Sequence, residues 1–190
     1  CQAVQYPTAF KQHDKEHRVF IQECEQQYQC IKYQRRNPSR DVVRDGNYLL
    51  NVGPTGDGNM EEEQVKRLAE LGVWMKQYGE TLYGTRGGPV IPGSWGGTTY
   101  KENKVYVHIM EWKSDKIRLQ LTGNKLKSWK LWNVKSADIQ EKDGYIQIEV
   151  PEAERDAYDT IIELEFENPI QWEGASCKEN DVYGLADGLD

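Results

Sequence analysis

Apolar residues recur at two different spacings along this chain, and the change of spacing divides it. Between His13 and Tyr33, the residues Phe20, Ile21, Cys24, Tyr28 and Ile31 follow the three-to-four-residue step of a helix face. Tyr48–Val52 is a short, mostly apolar run that enters a Gly-Pro turn. A run of this kind, bounded by turn residues and followed by an amphipathic helix, predicts one buried parallel strand and its following helix. The helix is predicted over 60–78, with Asn59 as its cap and Glu62 in the capping-box position. Glu61, Glu62 and Glu63 put negative charge where the helix dipole favours it. Val65, Leu68, Leu71, Gly72, Met75 and Tyr78 form the predicted buried stripe, and Gly79 ends the helix.

After Gly97 the period becomes two. The stretch 83–97 holds six of the chain's 17 glycines and reads as an irregular linker carrying the domain boundary. Beyond it, Val105, Val107 and Ile109 alternate with Tyr106, His108 and Met110, and Ile117, Leu119 and Leu121 alternate with Arg118 and Gln120. Trp129 and Leu131, then Ile146, Ile148 and Val150, then Ile162, Leu164 and Phe166 continue the pattern. Short alternating segments separated by Ser-Asp, Thr-Gly-Asn and Lys-Asp-Gly turns predict an antiparallel β-sandwich with one face of each strand turned inward. The predicted fold class is therefore mixed α and β. A truncated (β/α)-barrel remnant over 1–86, with helices at 13–33 and 60–78, precedes an antiparallel β-sandwich over 87–172 and an acidic tail over 173–190. A single parallel strand needs neighbours on both edges, and little upstream sequence supplies them.

Composition narrows the function classes. The formal net charge of −7 and the lack of a basic cluster beyond Arg35, Arg36 and Arg40 argue against nucleic-acid binding. No apolar run approaches the roughly 20 residues of a membrane helix, so no membrane span is expected. The four cysteines (Cys1, Cys24, Cys30 and Cys177) contain no C-x-x-C pair, and free thiols are the expectation. His13 and His17 have the i, i+4 spacing of helical metal ligands, but no third ligand lies nearby. An exposed face accounts for them, and neither a metal nor another cofactor is expected. The leading Cys1 is read as a fragment boundary, with the acylated cysteine of a lipoprotein as the alternative.

Four stretches together resemble glycoside hydrolase family 29, the α-L-fucosidases: DGNYLLNVGPTGDG (45–58), EEEQVKRLAELGVWMKQYGETLYGTR (61–86), SWGGTTYKENKVYVHIMEW (94–112) and DAYDTIIELEFE (156–167). The resemblance spans about 41–167. It implies that the first stretch is the last barrel strand and its loop, the second the final barrel helix, and the others part of a C-terminal sandwich. It also implies retaining hydrolysis of terminal α-L-fucose, a fucosylated glycan or oligosaccharide as partner, and an extracellular or periplasmic location. In that family the nucleophile is an Asp in a Trp-Phe-Asp type motif on an earlier strand. Here the first tryptophan is Trp74, and no such motif occurs. The acid/base glutamate has no counterpart in 1–46 either, so the catalytic pair is not assigned.

Two residues are candidates for substrate binding. Asn51 lies where the last strand of a barrel would meet the pocket, since barrel sites form at the C-terminal ends of strands. It either hydrogen-bonds a sugar hydroxyl or caps the turn backbone. Trp95, in the glycine-rich stretch, either stacks on a sugar face or fills a domain interface. Trp112, Trp129 and Trp132 fall in strand patterns, where packing is the default, and His108 reads as a packed histidine. Two rival readings stand beside the hydrolase: a non-catalytic sandwich that binds carbohydrate or supports a partner subunit, and a remnant that self-associates or pairs with a missing barrel through unpaired strand edges.

Overall fold

The computed structural model describes residues 38–50, 52–121 and 124–172. The predicted helix at 13–33 and the acidic tail lie outside the described residues.

Pro38 opens a short helical segment over 38–42, where its fixed φ and missing N–H cost nothing. The helix α1 (Glu62–Tyr78) follows, and a 3-10 turn, Gly79–Thr81, continues it. Eight strands come next: β1 (Arg86–Gly87), β2 (Gly96–Lys101), β3 (Lys104–Ile109), β4 (Lys116–Gln120), β5 (Leu126–Leu131), β6 (Asp138–Lys142), β7 (Tyr145–Glu149) and β8 (Thr160–Phe166). They form a five-stranded sheet in the order β1-β2-β3-β8-β5 and a three-stranded sheet in the order β4-β7-β6. Every pairing is antiparallel. The β6–β7 hairpin turns on Asp143 and Gly144, both at positive φ, which is the backbone that an Asp-Gly pair supplies for a tight hairpin.

The two sheets share one core. Val105, Val107 and Ile109 of β3 and Ile162, Leu164 and Phe166 of β8 pack with Ile117, Leu119, Ile139, Ile146 and Ile148 of the smaller sheet. In that smaller sheet the one-face expectation holds, since β4 alternates exposed and buried positions. In β3 and β8 it does not. Tyr106, His108, Ile161 and Glu163 point away from the shared core, yet all are buried. The reason is a third layer: Trp74 of α1, with Leu82, packs on Ile161, and Val42, Met75, Tyr78 and Trp132 surround them.

The strand predicted at Tyr48–Val52 is absent among the described residues, where 46–50, 52 and 53 join no ladder. Leu49 is 91% exposed. An apolar run becomes a strand only when neighbours accept its backbone hydrogen bonds in register, and no such ladder forms here among the described residues. The helix also begins later than expected. Its N-cap is Glu61, which makes no side-chain cap hydrogen bond, while Asn59 spends its side chain on Asp57. Of the predicted helical stripe, Val65 is 49% exposed, and the buried residue of α1 is Trp74. Gly79 does mark the end of α1. A Cβ there would lie 2.7 Å from the exposed Tyr83 ring, which would have to swing aside.

Candidate functional site

The turn after the 46–50 segment is closed by its own residues. Pro54 and Met60 form an antiparallel bridge, and the Thr55 amide donates to the Asn59 carbonyl at 2.7 Å. The Thr55 hydroxyl donates to Asp57, and Asn59 Nδ2 donates to the other Asp57 oxygen at 2.7 Å. These two donors, the hydroxyl foremost, hold the Asp57 carboxyl below the usual carboxylate range. Asp57 is thus an ionised turn residue with both oxygens occupied, not a proton donor. From α1, Gln64 Oε1 accepts the Gly53 amide at 3.2 Å and ties the turn to the helix.

Upstream, segment 38–46 lies against the five-stranded sheet. Val43 is 1% exposed. The Asp45 carboxylate receives Arg86 Nε at 2.7 Å and the Gly87 amide at 3.1 Å. Its pKa is pulled below the ordinary value, first by the Arg86 hydrogen bond and then by the Gly87 amide. Asp41 is shifted up instead, because burial disfavours its charge.

Under this segment sits a polar cluster that the sequence did not single out. Ser39 Oγ donates to Asp159 Oδ2 at 2.7 Å, and His108 Nδ1 lies 2.8 Å from the same oxygen. All three residues are fully buried. The order is wrong for a nucleophile relay, in which histidine bridges serine and aspartate. Here the aspartate is the hub, and His108 Nε2 has no partner among the described residues. The cluster fastens layers together. His108 is packed, as its strand position predicts. Asp159 carries no pattern of its own and becomes legible only once β8 is placed beside β3.

Asn51 lies outside the described residues. Trp95 is 5% exposed and belongs to the sandwich core. Trp112 is half-buried under the guanidinium of Arg155, 4.3 Å from the ring centre. Trp132 donates Nε1 to Glu163 at 3.2 Å, and Trp129 on β5 is 49% exposed. Among the described residues no group of three His, Cys, Asp or Glu side chains could hold a metal ion, and no helix is long and apolar enough to cross a membrane.

A protein-family model for alpha-L-fucosidase matches residues 19–80, which includes the turn and α1 and reaches upstream of the stretches read from the sequence. The structure superposes on alpha-L-fucosidase isoenzyme 1 from Paenibacillus thiaminolyticus with a TM-score of 0.63 and 32% identity, covering 73% of this chain and 35% of that one. The chain is similar to part of the α-L-fucosidases. Plasma alpha-L-fucosidase of Homo sapiens is 36% identical over 72 residues, 35% of this chain and 15% of that protein. The Thermotoga maritima alpha-fucosidase solved with a mechanism-based inhibitor superposes with a TM-score of 0.56 at 25% identity, covering 71% of this chain and 34% of that one. The chain therefore spans about a sixth of the length of the curated fucosidases it matches and about a third of the solved ones.

Proposed function

We propose that this chain supplies the substrate-side turn, the final barrel helix and the sandwich of a retaining α-L-fucosidase acting on fucosylated glycans. The observation that carries this reading is the fucosidase family match over 19–80, which contains both the closed turn at 53–60 and the helix that holds it. In this reading 46–53 is the remnant of the last barrel strand, and Asn51 with the 52–54 turn faces the sugar. Retaining hydrolysis needs two carboxyl groups about 5–5.5 Å apart across the glycosidic bond. Asp45 and Asp57 are each held as charged hydrogen-bond acceptors, so neither suits the acid/base role.

The test uses the purified 190-residue chain, with its 22.0 kDa intact mass verified on the same sample. Release of 4-nitrophenol from 4-nitrophenyl α-L-fucoside is measured beside binding of L-fucose. Fucose binding without turnover is the expected result and limits the chain to the substrate side of the site. Turnover would place the carboxylate pair within this chain. Neither binding nor turnover would overturn the reading.

A further inference from the structure

Segment 38–46 is fastened to the sheet in three chemically independent ways. The first is the buried Ser39–Asp159–His108 cluster, in which Asp159 precedes β8 and His108 lies on β3. The second is steric. A Cβ on Gly97 of β2 would lie 2.8 Å from Val43 Cβ and 2.9 Å from Pro92 Cβ, and one on Gly87 of β1 would lie 2.8 Å from the Val43 carbonyl oxygen. The two glycines therefore leave a slot that the Val43 turn fills. The third is the Asp45 carboxylate on Arg86 and the Gly87 amide. The segment's own turn is closed by Val43 N–H to Ser39 O at 2.9 Å and Gly46 N–H to Asp41 O at 2.9 Å. It leads, within a few residues, to Asn51 and the turn.

We propose that the five-stranded sheet is a positioning element for the substrate-side turn, with Ser39, Val43, Gly97 and Asp159 as the positioning residues of the clamp. Gly87 and Gly97 give up side-chain packing at the sheet surface, and what is gained is one fixed seat for the approaching chain. A close approach that only glycine permits sets position tightly, because either backbone must move for any other residue to fit. The functional consequence rests on the reading of the turn given above; the clamp itself is measured separately.

Hydrogen exchange read by mass spectrometry on the whole 190-residue chain tests it. Peptides covering 38–46 are compared with peptides from β3 and β8, in the parent chain and in Val43→Ala, Ser39→Ala and Gly97→Ala. The clamp predicts that 38–46 is protected in the parent and exchanges about tenfold faster in the variants, while β3 and β8 keep their protection. Should Gly97→Ala fail to fold, Val43→Ala empties the same slot from the other side without altering the sheet. Exchange of 38–46 at the unfolded rate in the parent would overturn the proposal. So would variants that leave 38–46 unchanged, or that loosen β3 and β8 equally, since the residues would then serve the sheet alone. L-fucose added to the same samples reports on the turn. Slower exchange over 46–60 supports the fucosidase reading, and no change counts against that reading while leaving the clamp standing.

Discussion

Asp45 shows how one side chain can do the work of an interface. Its carboxylate takes the Arg86 guanidinium and the Gly87 amide together, so its proton affinity is lower in the folded chain than in the unfolded one. A depressed carboxyl stabilises the folded state above its unfolded pKa, near 3.8, and that contribution is lost as pH falls through the folded value. The urea midpoint of the parent chain is therefore expected to exceed that of Asp45→Asn at neutral pH, and the gap to close below about pH 4. A gap of constant size from pH 3 to pH 7 would show that the carboxylate charge plays no part. At this scale the sequence is partly readable. His108 sits at an alternating strand position and packs as that position implies. Asp159 could not be singled out, because its importance comes from two residues 51 and 120 positions away.

Elements follow their patterns where the stabilising contacts are local or come from the nearest strand. The alternation in β3, β4, β7 and β8 was legible because each strand has apolar residues to bury. The strands β2 (GGTTYK) and β6 (DIQEK) carry too few; the first pairs with β3 and the second with β7, and those partners complete them. The run at 48–52 shows the converse, a strand-like pattern whose described residues join no ladder. Helix α1 begins without a side-chain cap, and this can be improved. In Glu61→Ser the new hydroxyl can accept the Gln64 amide, with Gln64 three residues on in the capping-box position. The variant is expected to gain about 1 kcal/mol, seen as a higher Tm. An unchanged or lower Tm would mean that Gln64 is worth more where it is, holding the Gly53 amide.

Across the whole molecule β8 is the strand on which the layers converge. Leu164 is fully buried between the sheets, while Ile161 on the other face of the same strand is buried against α1. Leu164→Ala is expected to cost about 2–5 kcal/mol and to shift the helical circular-dichroism signal and the tryptophan fluorescence to the same lower urea concentration. Separate midpoints would show that the helix layer melts on its own. This layering was not visible in the sequence, since alternation tells which residues share a face and not whether that face is later covered. The larger sheet also ends abruptly on both sides. At one edge β1 is two residues long, and at the other β5 breaks register between Leu126 and Ser128 and carries Lys127 and Lys130. An edge that is too short, or kinked and positively charged, offers a second molecule no flat template to extend. Among the described residues, neither edge of the larger sheet invites a second copy to prolong it.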